Sequence, residues 1–494
     1  MENKSNTIFG NQLDAQTVRK AQKAKDSYVK RFGDDAGQPC RLRAAAAPAI
    51  GKALGVRQLL PEGASAAPFD LYADAQAAGT GDPVVVGNIR MGFGHYRIAM
   101  AMASAARALG YTPYWHDLMA FPATTCSKVI SYQNDLYSMG SRLSQKSRLF
   151  NKLYWEPMNS EGFRRLSYNA SDQRVSELMC APFEELPRDV PYIGTHAWTA
   201  QAAVHSGMKR VVNAIPDNWP MALHLAEGAP HAVQTPKCYE GYRKLDGFDP
   251  KHTLSPMPDD AIAYVGNFVD HELVANIPFD CTRRETRLET VRPIRYLLSV
   301  GGAGAQQKLF CRIVEHLVPY VDAGKASVLI NVGDHRGVWR ELVDSIPALS
   351  LTTCHFDDFK ETAAFAEGIL DGPCEGFHAF CHRDTFSAVY STNLLMRGAD
   401  ILATKPGELS FYPVPKLMLP RVGGHEAWGA IRAAELGDGT LELADAKTAC
   451  DAIDLLQADP APIAAMCANI RANDADGIYN GAYRVVQLAC GMEA

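Results

Sequence analysis

The sequence predicts an α/β protein with two Rossmann-like domains and an N-terminal helical extension. Near residue 84, and again near residue 294, an apolar run leads into glycines and then into a helical segment. Short apolar strands alternate with helical segments through the rest of both halves, which favours mostly parallel sheets. Two such halves imply a cleft between them, and open sheets of this type bind ligands at the carboxyl ends of their strands.

Composition and charge exclude several classes of function. The 494 residues are 47% hydrophobic and 21% charged, which is typical of a globular protein. The formal net charge of −6 gives no global positive field, so we expect no nucleic-acid partner. The 12 cysteines lack the spacing of a disulfide scaffold or of paired zinc knuckles, which favours a cytoplasmic location. Neither a secretory signal nor an apolar run of about 18 residues is found, so we expect at most peripheral contact with the inner face of a membrane.

The order of the segments predicts four regions. Residues 1–80 are expected to form an extension and linker. Residues 81–290 and 291–475 are expected to form the two Rossmann-like domains, because a charged segment that ends in proline separates them. Residues 476–494 end the chain with a helix.

The first glycine loop is the stretch around which the chain is organised. Three consecutive valines predict a buried strand, Gly92 and Gly94 predict a tight turn, and an alanine-rich segment predicts a helix. The loop therefore brings His95 to the start of a helix, at the carboxyl edge of a strand. Arg97 stands where the dinucleotide fingerprint has its third glycine, and no Gly-Lys-Ser/Thr follows, so this is neither that fingerprint nor a P-loop.

Further polar residues follow other predicted strands. In the first half, His196 and Asp217 stand at the carboxyl ends of two strands. In the second half, turns after two strands lead into helix starts, where backbone amides and the helix dipole favour anions. The candidate ligand-binding residues of this half are Gly301, Gly302, Gly304, Ala305, Lys405, Gly407, Glu408, Ser410, His425 and Glu426.

These motifs resemble those of GT-B glycosyltransferases, in particular the group with the lipid-II-forming N-acetylglucosaminyl transferase and the monogalactosyldiacylglycerol synthases. The segment 92–95 resembles the N-terminal G-G-G-H loop of that family, and 299–305 resembles its G-G-S-x-G-A loop. The segments 404–407 and 424–426 follow the layout of its nucleotide-sugar half. The segment 215–219 stands where the lipid-galactosyl enzymes have T-D-x-x-x-x-W.

The resemblance implies a metal-independent glycosyltransferase that moves a sugar from a nucleotide sugar, expected to be a UDP-sugar, to an acceptor hydroxyl. It implies that the first domain binds the acceptor, that the second binds the nucleotide sugar, and that the C-terminal helix packs back on the first domain. The expected partners are this small-molecule donor and a lipid-linked or cell-envelope acceptor. Because the donor is a substrate, no cofactor and no metal site is expected.

His95 is the predicted catalytic base, and Asp217 is the second candidate, because a base must take the proton of the acceptor hydroxyl. Gly92, Gly94 and His196 are expected to contact substrate. The donor diphosphate is expected at residues 302–305, and the base of the nucleotide near residues 405–408.

One departure from the family pattern leaves other functions open. Members of the family commonly have a glutamate six residues after the turn glycine, where it contacts the ribose, but this chain has Pro413 there. Glu408 or Glu426 could take that role. The alternatives are a GT-B-fold nucleotide-sugar 2-epimerase and a non-catalytic protein that binds a sugar or a nucleotide, which Pro413 favours.

Overall fold

A computed structural model describes residues 4–38, 40–79, 81–90, 92–155, 157–290, 292–300 and 306–492. The strands are β1 (Thr7–Ile8), β2 (Asn11–Gln12), β3 (Leu42–Ala46), β4 (Arg57–Pro61), β5 (Pro83–Asn88), β6 (Thr112–Asp117), β7 (Tyr192–Gly194), β8 (Val211–Ala214), β9 (His231–Val233), β10 (Ile262–Tyr264), β11 (Ile294–Ser299), β12 (Ala326–Asn331), β13 (Thr353–Phe356), β14 (Gly376–Cys381), β15 (Ile401–Thr404) and β16 (Lys416–Met418).

The helices are α1 (Ala15–Phe32), α2 (Gly51–Leu54), α3 (Leu71–Ala78), α4 (Gly94–Ala108), α5 (Thr125–Lys146), α6 (Arg148–Phe150), α7 (Leu166–Ser176), α8 (Ala197–His205), α9 (Pro236–Lys244), α10 (His271–Val274), α11 (Ile277–Glu289), α12 (Gln307–Asp322), α13 (Arg336–Ser345), α14 (Phe359–Asp371), α15 (Thr385–Gly398), α16 (Ala427–Glu435), α17 (Ala446–Ala458), α18 (Ala461–Ala475) and α19 (Gly481–Cys490). Single turns of 3-10 helix at Glu408–Phe411 and Gly424–Glu426 precede α16.

The first domain is built on an eight-stranded sheet with the order β10-β9-β8-β7-β5-β6-β4-β3. All neighbouring strands are parallel except β3, which pairs antiparallel with β4 at the edge. Every residue of β5 is buried, which fits the Val84–Val86 run and the covering of both sheet faces by helices.

The second domain is built on a six-stranded, wholly parallel sheet with the order β13-β14-β12-β11-β15-β16. The predicted fold class, two Rossmann-like α/β domains with an N-terminal helical extension, is confirmed. In both sheets the first central strand has neighbours added on one side and then on the other. The strand order therefore reverses between β5 and β7 in the first sheet and between β11 and β15 in the second, and such reversals leave crevices for ligands.

The two domains share apolar contacts. Phe386 of α15 lies beside Tyr96 and Trp115 of the first domain, with ring centroids 5.8 Å and 5.0 Å away. The buried side of α19 packs with α4 in the first-domain core through Ala482, Val485, Val486 and Ala489. The chain thus returns from the second domain to the first at its C-terminal helix.

The structure differs from the predicted boundaries at both ends of the first domain. Strands β3 and β4 lie within residues 1–80, which were expected to form an extension and linker, and they extend the first sheet. At the other boundary, α11 packs against α18 of the second domain, so the chain has already crossed before residue 280. Within the described residues, no helix is long and apolar enough to cross a membrane.

Candidate functional site

A cavity that opens to solvent lies between the domains, where the carboxyl edges of the two sheets meet. Phe93 and Arg97 line it from the first domain. The second domain contributes residues at the ends of β11, β12 and β15 or just after them, together with two residues of α15. These are Ser299, Val300, Asn331, Gly333, Ala388, Thr392, Thr404, Lys405, Gly407, Glu408 and Leu409. The cavity therefore adjoins the strand-order reversal of the second sheet.

His95 lies in the first turn of α4, next to the strand-order reversal of the first sheet. Its Nδ1 is 2.8 Å from the carbonyl oxygen of Thr195, which follows β7. A carbonyl only accepts, so Nδ1 carries the proton, and Nε2 is left as the basic atom of the neutral ring. Burial lowers the pKa of His95 below its ordinary value, against the hydrogen bond to Thr195 and the charge of Asp217, which raise it. At neutral pH the ring can accept a proton.

His196 lies against His95, with ring centroids 4.7 Å apart. It caps α8: the amide of Trp198 donates to its Nδ1 at 3.1 Å, so the proton of the neutral ring is on Nε2. Burial, followed by the neighbouring charge of His95, lowers its pKa well below the ordinary value. The pair therefore presents one ring nitrogen that accepts a proton and one that donates a hydrogen bond.

Asp217 follows β8 and pairs with His224, whose Nε2 is 2.9 Å from Oδ2 of the carboxylate. The side chain of Asp217 is 37% exposed, while that of His224 is 4% exposed. The next two residues reach the second domain. Asn218 Nδ2 donates to the carbonyl oxygen of Trp428 at 3.3 Å, and the ring of Trp219 lies 5.4 Å from that of Trp428.

Lys405 faces these groups from the turn after β15. Its ammonium is hydrogen-bonded to the carboxylate of Glu426. Burial lowers the pKa of Lys405, against the charges of Glu408 and Asp217. Glu426 also accepts hydrogen bonds from the amides of Val422 at 2.7 Å and Gly423 at 3.2 Å, so its carboxylate holds the turn before α16 as well as the lysine.

Glu408 crosses to the first domain. Its Oε2 is 3.3 Å from the position that a Cβ would take on Gly94, and its Oε1 is 3.7 Å from Nε of Arg97. Gly407 starts the same turn, and a Cβ built on it would lie 3.3 Å from Nζ of Lys405. Gly92 has a φ of +92°, the left-handed region that favours glycine, and so turns the chain into α4.

Other predicted site residues lie away from the cleft or outside the described residues. Ser410 is fully buried, and its hydroxyl donates to Sδ of Met418 at 3.4 Å, so it points into the second domain rather than into the cleft. Gly301, Gly302, Gly304 and Ala305 lie outside the described residues, as does the side chain of His425. The cleft therefore brings together His95, His196, Asp217, Lys405, Glu408 and Glu426 of the predicted set.

Four residues of the cleft had no predicted role: Arg97, Phe93, His224 and Trp428. Arg97 gave the clearest signal, because a cation in the first turn of an otherwise apolar helix is unusual for a buried segment. Trp428 and His224 gave none, since contacts between distant segments leave no local pattern. Among the described residues, no group of three or more His, Cys, Asp and Glu side chains is arranged to hold a metal ion.

Comparisons with known proteins were made for the sequence and for the fold. A sequence-family model described as a domain of unknown function (DUF6937) matches residues 7–244, and a second family model (DUF6938), with the same description, matches residues 257–490. No curated protein matches the sequence. The two matches divide the chain between β9 and β10, near the end of the first sheet.

The fold is similar to several solved structures of low sequence identity. A UDP-GlcNAc 2-epimerase from Neisseria meningitidis bound to UDP-GlcNAc has 12% identity over 83% of this chain and 100% of its own, with a TM-score of 0.45. An α,α-trehalose 6-phosphate synthase from Burkholderia multivorans has 12% identity, 83% and 100% coverage, and a TM-score of 0.39. A glycosyltransferase from Rickettsia africae has 12% identity, 83% and 98% coverage, and a TM-score of 0.37. These values assign no activity to this chain.

Proposed function

We propose that this chain is a glycosyltransferase that binds a nucleotide sugar in the interdomain cleft and transfers the sugar to an acceptor hydroxyl. One observation carries the proposal. The first domain holds a neutral histidine through its Nδ1, and the second domain places Lys405, whose side chain is 25% exposed, near the same two carboxylates, Asp217 and Glu408.

The transfer needs a base on the acceptor side. Nε2 of His95 makes no hydrogen bond to the described part of the chain, while Nδ1 is held by Thr195. The acceptor O–H proton moves to Nε2 as the oxygen forms a bond to the anomeric carbon of the sugar. The anomeric carbon–oxygen bond to the diphosphate breaks, and the electron pair leaves with the nucleoside diphosphate.

The leaving diphosphate gains negative charge and needs stabilisation from the second domain. Lys405 supplies a cation beside the carboxyl end of β15, where it is positioned before the charge on the leaving group develops. Release of the ammonium from Glu426 would free it for phosphate oxygens.

Incubation of the protein with a panel of UDP-sugars, with and without simple acceptors, tests the proposal. Acceptor-dependent release of UDP with a glycosylated acceptor is the expected result. Binding of UDP-sugars without turnover across a wide acceptor panel would instead favour a non-catalytic binding protein.

A nucleotide-sugar 2-epimerase is the second candidate, and the Asp217–His224 pair favours it. A transferase of this type needs one base, whereas this cleft holds a His–Asp pair and two further carboxylates, Glu408 and Glu426. Incubation with a UDP-sugar alone distinguishes the two. If proton NMR shows that the sugar is isomerised in the absence of an acceptor, the result would favour the epimerase.

A further inference from the structure

The start of α4 and the side chain of Arg97 form a positively polarised corner of the cavity. Helix α4 begins at Gly94 and is 15 residues long. The first amides of a helix have no partner within it, and the helix dipole adds positive potential there. Arg97, one turn along the same helix, lines the cavity and adds a full charge beside this helix start.

The guanidinium of Arg97 is buried and incompletely paired. Its side chain is 3% exposed. It donates to the carbonyl oxygen of Val389 at 3.3 Å, to Thr392 Oγ1 at 3.5 Å and to the side-chain oxygen of Asn393, all on α15. These partners are neutral, and the buried carboxylate of Asp270 lies on the far side of Asn393, to which it is hydrogen-bonded. Nε has no hydrogen-bond partner in the described part of the chain. A buried cation of this kind is stabilised by an anion at hydrogen-bond distance.

The group nearest to this position is a carboxylate from the other domain. Glu408 Oε1 is 3.7 Å from Arg97 Nε, too far for a hydrogen bond, and Oε2 lies over the first residue of α4. The Glu408 side chain is 25% exposed, so it can leave this position without breaking into the core. The arrangement resembles an anion site that is occupied loosely by an internal anion.

We propose that Arg97 and the start of α4 bind a phosphate group of the ligand, and that Glu408 occupies this position until the phosphate displaces it. The phosphate belongs either to the donor diphosphate or to a phosphorylated acceptor. This inference deepens the proposed function, since it assigns a phosphate subsite to the first-domain wall of the same cleft. It also changes the expected role of Glu408 from a contact with the ribose to a competitor of the phosphate.

Removal of the charge of Glu408 tests the proposal without any need for turnover. In Glu408→Gln the side chain keeps its shape, but the repulsion between carboxylate and phosphate is lost. The affinity for inorganic phosphate, measured by calorimetry, is expected to rise on the order of tenfold, as for a like-charge contact relieved in a partly exposed site. Phosphate binding is independent of transfer, so failure of this test is distinct from failure of the proposed activity.

Glu285→Gln is the matched control. Glu285 resembles Glu408 in two ways: its side chain is 26% exposed, and it lies beside an arginine, Arg471. Unlike Glu408, Glu285 lies on α11, away from the cavity. We expect Glu285→Gln to leave phosphate affinity unchanged. An equal rise in both variants, or an unchanged or lower affinity in Glu408→Gln, would overturn the proposal.

Arg97 is tested in the Glu408→Gln background. Arg97→Lys keeps the charge but loses the reach of the guanidinium, and it is expected to remove most of the gain in phosphate affinity while the melting temperature shows that the domains remain folded. A gain that persists in this folded double variant places the phosphate elsewhere and contradicts the proposal.

The source of the phosphate is identified by comparing ligands in the same Glu408→Gln variant. A gain for UDP, with none for uridine and none for a sugar 6-phosphate, assigns the site to the donor diphosphate. A gain for the sugar 6-phosphate, with UDP unchanged, assigns it to an acceptor. A loss of uridine affinity would support the ribose contact instead and refute the competitor role.

Discussion

His95 is held so that only one of its ring nitrogens can act as a base. The 2.8 Å contact from Nδ1 to Thr195 fixes the tautomer, and burial keeps the ring neutral at physiological pH. His95→Ala is therefore expected to lower kcat about 10²–10⁴-fold, the usual contribution of general-base assistance. The measurement is kcat for wild type and variant, together with the melting temperature of each.

His252→Ala serves as the control for His95, because His252 is exposed and pairs with Asp249 at the surface. It should leave kcat unchanged. Normal turnover in His95→Ala would return that residue to a structural role, and Asp217 would become the next candidate base.

The pH profile of the reaction tests the same residue in a different way. Because burial places the pKa of His95 below 6.5, the base is unprotonated at neutral pH, and it is lost only as the pH falls through that lowered value. The acid limb of kcat/KM should therefore lie below pH 6.5. An acid limb above pH 7 would argue against His95 as the base.

Lys405 is the second residue whose charge the proposal uses. Lys405→Met removes the cation but keeps much of the side-chain volume, so UDP affinity is expected to fall on the order of 10–100-fold, as for a lost charge-assisted contact. Calorimetry with UDP measures it. Lys447→Met, which removes an exposed lysine paired with Asp451, is the control and should bind UDP as wild type does.

At the scale of elements, the loop before α4 meets the turn after β12. Gly333 has a φ of +62°, and a Cβ there would lie 2.5 Å from Cε2 of Phe93. Gly333→Ala is expected to be destabilising twice, by about 1 kcal/mol for the left-handed backbone and by a further 1–3 kcal/mol for the clash with the ring. Urea unfolding at equilibrium measures the sum.

Gly324→Ala separates the two contributions. Its φ is +67°, close to that of Gly333, but no atom lies within 4 Å of the added Cβ. Both variants therefore lose the same free energy of unfolding from the left-handed backbone. Any larger loss in Gly333→Ala measures the clash with Phe93 at the contact between the domains. Phe93→Leu should recover that excess. Equal losses at both glycines would mean that the loop moves away from Gly333 at no cost.

The sequence predicted those elements whose local pattern is strong. The valine run of β5 and the alanine-rich α4 gave the first unit, and the apolar run of β11 with the helical segment of α12 gave the other. Strand β3 was not predicted, because Leu42–Ala46 contains three alanines, which have low β-propensity, and joins the sheet only through its pairing with β4. The apolar runs that predicted the strands also predicted that His95 and Lys405 follow strand ends.

The contacts that complete the site depend on chain segments far apart in sequence. Arg97 meets α15 about 300 residues later, and Trp219 meets Trp428 about 200 residues later. No periodicity in either segment records its partner. The sequence therefore predicted the edge of each sheet at which the candidate site lies, while the carboxylate beside Arg97 required the packing of two domains.

At the scale of the whole molecule, Asp270 joins the segment between the domains to the second domain. It is fully buried and accepts hydrogen bonds at 2.8 Å from Asn393 Nδ2 and from the hydroxyl of Tyr412. Burial raises the pKa of its carboxyl from 3.8 to about 6. The carboxyl therefore ionises less readily in the folded state than in the unfolded chain. Its contribution to the free energy of unfolding is complete below about pH 4 and is lost as the pH rises through about 6.

Asp270→Asn should remove this pH dependence. The amide oxygen can still accept from Asn393 and Tyr412, and the side chain at position 270 then carries no charge at neutral pH. The free energy of unfolding should rise by up to about 3 kcal/mol at pH 7, the value of roughly two pKa units, and change little at pH 4. Asp260→Asn, at an exposed position, should change it little at either pH. Equal gains for Asp270→Asn at pH 4 and pH 7 would show that ionisation of this carboxyl does not limit how firmly the two domains are joined.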